Sequence, residues 1–151
     1  MSEDVVEFQG QIQVPYEWAY GEDLTRFFEG TKQKKIYGSR CPSCKGVMVP
    51  PTSYCARCYV RMEEEWIELP HTAKIDSFTV VYLPFVGQPT EPPYAYATII
   101  VDGSDGYYLH VIGECDFDEL HCDMKVEAVW NPEPKGDLYD ILYWRPIKED
   151  K

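Results

Sequence analysis

The sequence contains no run of about 18 apolar residues, so it offers no helix that could span a bilayer. It also lacks the GxGxxG and GxxxxGK patterns that grip phosphates and the GxSxG turn that presents a serine. Nothing therefore argues for nucleotide hydrolysis or a serine nucleophile. The first ten residues carry Glu3, Asp4 and Glu7 in place of the basic-then-apolar pattern of a signal peptide, and the expected location is the cytoplasm. In a reducing compartment six cysteines read as metal ligands or buried thiols before they read as disulfides.

Acid is the next absence, and it is local. From Gly30 to Met62 there are seven basic residues, Lys32, Lys34, Lys35, Arg40, Lys45, Arg57 and Arg61, and no Asp or Glu. From His71 onward fifteen acids face six bases, which accounts for most of the net charge of −12. An acidic half with nine excess negative charges repels phosphate, which argues against nucleic acid as a partner for it.

What is present is enough for a core. Hydrophobic residues make up 44% of the 151 and aromatics 15%, with twelve tyrosines suited to half-buried strands and interfaces. Leu24, Phe27 and Phe28 fall at helical spacing after Glu22 and Asp23, and Gly30 is placed to end that helix. Beyond residue 70 the pattern turns to strands. Residues 73–83 are β-branched and aromatic with an alternation that slips midway, as a bulge requires. A proline-rich loop with Phe85 and Val86 follows. Residues 94–101 and 107–113 flank the turn Asp102-Gly103-Ser104-Asp105-Gly106, and further strands are expected at 126–130 and 138–144, with a helical turn at 116–120. Five strands with a helical element between the third and fourth predict an OB-type barrel, with a small sandwich as the rival. The expected division is an arm and helix over 1–35, a ribbon over 36–70 and the barrel over 71–151.

The chemistry-bearing pattern is Cys41-Pro42-Ser43-Cys44 followed by Cys55-Ala56-Arg57-Cys58. Each pair can aim two thiolates at one point about 2.3 Å away, and two pairs complete a tetrahedral sulfur cage. That geometry is the closed one of structural zinc; iron also accepts four thiolates and stays open as the alternative. Cys115 and Cys122 have no such partner. Acidic neighbours Asp116, Asp118, Glu119 and Asp123 raise a thiol pKa, and His121 beside Cys122 points away on an extended chain, so neither reads as a nucleophile. His110 reads as a structural histidine within a strand, and His71 as exposed.

Arg40-Cys41-Pro42-Ser43-Cys44, the step Val49-Pro50-Pro51 before the second pair, Trp66, Ser77-Phe78-Thr79-Val80-Val81 and Pro92-Pro93-Tyr94 together resemble the family called domain of unknown function 35. The resemblance runs from Trp18 to Trp144. One departure is Leu69-Pro70-His71-Thr72, where relatives carry a glycine-rich turn. It implies a mainly β protein with an N-terminal helix, a rubredoxin-like zinc ribbon and a C-terminal five-stranded OB-fold barrel. It further implies a non-catalytic partner subunit of a thiolase-type or thiolase-like aldolase complex handling CoA thioesters, with the reacting cysteine and histidines on the partner. On that expectation the seven basic residues form a wall for the CoA phosphates. The alternatives are a free-standing acyl-CoA-binding protein and a zinc-ribbon/OB-fold nucleic-acid binder.

Overall fold

The computed structural model describes residues 17–85, 87, 88 and 90–147. The arm expected over residues 1–15 and Val86 of the proline-rich loop lie outside the described residues. The element order is α1 (Gly21–Lys32), β1 (Ile36–Arg40), β2 (Val47–Met48), β3 (Trp66–Leu69), β4 (Thr72–Val81), β5 (Tyr94–Val101), β6 (Tyr108–Ile112), a 3-10 turn (Phe117–Glu119), β7 (Lys125–Trp130) and β8 (Ile141–Pro146).

β2, β1 and β3 form a three-stranded antiparallel sheet, and β4-β5-β6-β8-β7 close into a barrel. The short element between the third and fourth barrel strands and the parallel junction of β6 with β8 make this an OB fold, and the sandwich is set aside. Ala95, Ala97, Ile99 and Val101 of β5 point inward at every second position and meet Ile75, Ile112, Val126 and Trp144, all within the fully buried core. The slipped alternation in β4 is a bulge: the register shifts between Ile75 and Ser77, and Ile75 instead exchanges hydrogen bonds with Asp123 and Met124.

Several boundaries shift by one to three residues from expectation, β4 for instance ending at Val81, and two of the shifts have a visible cause. Gly30 lies inside α1, which runs on to Lys32. The ring of Tyr37 packs where a side chain would stand, so that a Cβ at residue 30 would sit 2.6 Å from Tyr37 Cδ2. The helix is closed by Lys34 at a φ of 58°. At the other end, β8 begins at Ile141, because the carboxylate of Asp140 gathers the chain before it into a turn. Asp140 accepts from the backbone N–H groups of Lys135 (2.6 Å), Gly136 (3.0 Å) and Asp137 (3.2 Å).

The same carboxylate accepts from Thr31 Oγ1 of α1 at 2.6 Å. With Phe27 edge-on to Tyr108 at 6.4 Å, this seats the helix against the barrel. Ribbon and barrel are joined by the β5–β6 turn. Asp105 donates its N–H to Val47 O at 2.7 Å and accepts from Val47 N–H at 3.0 Å. Gly106 fits because a Cβ there would lie 2.7 Å from Val49 N. One hydrophobic cluster therefore runs through helix, ribbon sheet and barrel.

Asp140 is 1% exposed, so removing its carboxylate strands several donors at once. Asp140→Ala is expected to cost about 3 kcal/mol and Thr31→Val about 1 kcal/mol, read from urea midpoints at constant m. His110 gives a pH signature. Burial, offset in part by the Val111 backbone, pushes its imidazole down to about 4. The unfolded chain takes its proton near pH 6.5 and the folded chain only near 4. This contribution is constant above about pH 6.5 and is lost as pH falls from there towards 4. Across that window the parent should lose about 3 kcal/mol relative to His110→Leu, measured by urea unfolding at each pH.

Candidate metal centre and surrounding surfaces

The two cysteine pairs sit on turns built to one plan. After β1, Cys41 N–H donates to Gly46 O at 2.9 Å and Lys45 N–H to Cys41 O at 3.0 Å, with Lys45 at a φ of 63°. In the second turn Cys55 N–H donates to Val60 O at 2.9 Å and Tyr59 N–H to Cys55 O at 2.9 Å, with Tyr59 at a φ of 57°. Each left-handed residue folds the chain back after the second cysteine, so both thiols of a pair face the same side.

The Sγ atoms of Cys41, Cys44, Cys55 and Cys58 lie within 4.8 Å of one another, a set able to hold a metal ion. Cys44 Sγ stands 3.8 Å from Cys55 Sγ. A sulfur tetrahedron with bonds of about 2.3 Å has edges of about 3.8 Å, so the donor set fits zinc or iron in size and type. Cys41 and Cys55 are buried beside Met62, with Met48 and Val60 packed against them.

The ionisation of the set points the same way. Burial pushes the Cys41 thiol up, but hydrogen bonds from the backbone of Cys44 and Ser43 outweigh it and bring the pKa to about 7. Cys44 receives a favourable backbone hydrogen bond from Gly46, yet its close sulfur neighbours and burial push it up to about 11. One thiolate is easy to form, and a second beside it is not. A cation at the centre removes that conflict.

The other two cysteines do not join this set. Burial and the Asp116 carboxylate push the Cys115 thiol up, the opposite of what an activated nucleophile needs. Cys122 is exposed, and the adjacent His121 engages the Glu119 carbonyl at 2.9 Å.

The acid-free stretch is less isolated in space than in sequence. Lys35 pairs with Glu68 at 2.8 Å and Lys45 with Glu63 at 3.6 Å. Arg61 lines a cleft of about 440 Å³ between α1 and the ribbon, beside Glu22, Asp23 and Glu63. Lys32, Lys34, Arg40 and Arg57 are exposed. Three of the seven cations thus lie beside carboxylates, and the other four are exposed.

Two features escaped the sequence reading. Arg26 lies 4.1 Å over the Trp66 ring and donates to Glu64 O at 2.9 Å, which braces the helix on the ribbon. A second cavity, of about 480 Å³ and mostly apolar, opens on the barrel between Pro93, Tyr94, Val111, Phe117, Leu142 and Tyr143. Part of its signal was available: Val111 and Leu142 are apolar at outward positions of their strands.

The comparisons with known proteins match both halves. The ChsH2 rubredoxin-like zinc ribbon domain matches residues 28–63, and the ChsH2 C-terminal OB-fold domain matches residues 66–131. A DUF35 domain-containing scaffold protein of Methanocaldococcus jannaschii is 26% identical over 117 residues, covering 75% of this chain and 82% of that protein. The solved Ltp2-ChsH2(DUF35) aldolase contains a chain that aligns with a TM-score of 0.65 at 23% identity, over 86% of this chain and 98% of that one. A protein of unknown function from the DUF35 family of Sulfolobus solfataricus aligns with a TM-score of 0.56 at 30% identity, over 69% of this chain and 75% of that one. With both domain matches in chain order and this last relative, the chain belongs to the DUF35 family, whose zinc ribbon and OB fold it carries.

Proposed function

We propose that this chain is a non-catalytic, zinc-holding partner subunit of a thiolase-type acyl-CoA enzyme, one that scaffolds the complex and helps wall its CoA channel. The observation that carries the reading is the closed donor set: four thiols converge on one point and leave no position for substrate or water. Of the other two cysteines, Cys115 is pushed up by burial and Asp116, and the His121 ring next to Cys122 engages the Glu119 carbonyl. The M. jannaschii relative is named a scaffold protein, and the Ltp2-ChsH2(DUF35) aldolase pairs such a chain with a second subunit. Both support a subunit role here.

On this reading Cys41, Cys44, Cys55 and Cys58 hold the ion as thiolates. When bound it supplies the positive charge that lets all four ionise and fixes the two turns. The ribbon has only a small core of its own around Met62, so metal binding and ribbon folding are one event. Towards CoA, the exposed cations Arg40 and Arg57 carry the charge term more fully than Lys45, which already pairs with Glu63.

Metal analysis of the purified chain should find one zinc per chain. Cys44→Ser and Cys58→Ser should lose it together with solubility, whereas well-folded protein free of zinc would overturn the metal assignment and iron in its place would revise it. In the assembled complex, charge reversal at Arg40 or Arg57 should raise the KM for the CoA substrate by about threefold each and leave association intact. Lys45→Glu should have a smaller effect. Weakened association with an unchanged KM would move these cations from the channel to the subunit interface.

A further inference from the structure

β5 sorts its side chains between two faces. Ala95, Ala97, Ile99 and Val101 fill the core, which leaves Tyr96, Thr98 and Ile100 on the outside of the barrel. Residues directly opposite in an antiparallel pair share a face, so the register carries this outer surface onto both neighbours. Thr79, Tyr96 and Val111 form one row, and Ser77, Thr98 and Leu109 form the next. Neither row holds a charge, and no Asp, Glu, Lys or Arg occurs from Ser77 to Thr90, although the net charge is −12.

Two further segments extend this face. Leu138, Tyr139 and Leu142 join Tyr96, Leu109 and Val111 around a cavity of about 210 Å³ that has no charged residue among the described residues lining it. Gly87 lines the same cavity, so the loop that leaves β4 borders the face. Leu109, Tyr139 and Leu142 stand 64%, 65% and 42% exposed. In the loop, Tyr82, Leu83 and Phe85 stand 68%, 79% and 53% exposed. A single exposed leucine means little, but an uncharged side that gathers this many large apolar groups marks a contact surface.

Size and charge narrow the choice of occupant. Two rows across three strands cover only about 200 Å², against about 800 Å² per partner in a stable protein complex. Whatever covers the face must therefore reach past its border, and carboxylates stand there. Asp76 is exposed next to Ser77, and Asp137 lies next to Leu138. The adjoining cavity of about 480 Å³ is lined by Glu91 and by Phe117, which Asp116 and Asp118 flank. The nearby bases are already engaged: Lys74 pairs with Asp123, and Arg145 with Glu114 and Glu127. A second copy of this chain, packed on the same face about a twofold axis, would lay carboxylates near carboxylates. Nucleic acid and the phosphates of CoA meet the same repulsion.

We infer that the outer face of β4, β5 and β6 is the surface that docks the enzyme partner, and that the partner brings an uncharged apolar patch ringed by Lys and Arg. The apolar centre supplies most of the binding free energy, and the charged border sets orientation and association rate. This rests on the subunit reading and adds which side of the chain meets the partner and with what chemistry.

The test co-expresses the full chain with the proposed thiolase-fold partner and follows the complex by native mass spectrometry, hydroxyl-radical footprinting and binding kinetics. Oxidation of Tyr82, Leu109 and Tyr139 should fall on complex formation. Leu109→Asp and Tyr139→Asp should each weaken association by about tenfold or more. Both residues are exposed, and an unchanged urea midpoint and zinc content would verify that the variants keep their fold. The association rate of the parent should fall about tenfold as salt rises from about 0.05 to 0.5 M. Full-strength association of both variants, or unchanged oxidation of this face within an intact complex, would overturn the inference and leave the subunit reading standing. A rate indifferent to salt would overturn the basic border. No complex at all would overturn both readings. A homodimer of the isolated chain that Leu109→Asp dissolves would make the face a self-contact and overturn the inference equally.

Discussion

The ribbon depends on a constraint among four sulfur atoms. They are held within 4.8 Å of one another, close enough that each thiolate formed opposes the next. Few apolar residues back them, chiefly Met62, Met48 and Val60, too little to hold two tight turns by burial alone. Everything built on the ribbon inherits this condition. β1 runs directly into Cys41, β2 follows Gly46, and β2 is the strand that receives Asp105 from the barrel. Local order at the cysteines thus propagates through Val47 into the barrel's own hairpin.

The second organising contact is the buried carboxylate of Asp140. It binds a turn, the first residue of β8 follows it, and it reaches α1 through Thr31. Helix, ribbon and barrel consequently share a core instead of hanging on linkers, and Pro70 and His71 are the only residues between β3 and β4. A scaffold that has to hold a surface still for a partner benefits from such a continuous core. On its outside the barrel exposes Leu109, Tyr139 and Leu142.

Legibility in the sequence followed the range of the interaction. The cysteine pairs, the strand alternation and even the bulge near Asp76 could be read because each is decided within a few residues. The end of α1 could not, because Gly30 is inside the helix for the sake of Tyr37, seven residues away and packed against it. The start of β8 could not, since apolar Leu138 and Tyr139 look like strand while Asp140 pulls them into a turn. The acid-free stretch is likewise a property of the local sequence only. Glu63 and Glu68 lie just beyond it in sequence and fold back onto Lys45 and Lys35. The apolar cavity on the barrel was legible only in part, through outward-facing Val111 and Leu142, because its other lining residues come from distant parts of the chain.

On the proposed reading this chain completes an enzyme without performing its chemistry. It is tested by thioester cleavage by the isolated chain, by the proposed thiolase-fold partner and by the two expressed together, with native mass spectrometry of each. No turnover is expected from this chain alone, and a stable hetero-oligomer with full turnover when both are present. Acyl-CoA cleavage by the isolated chain that disappears in Cys115→Ala or Cys122→Ala would contradict it.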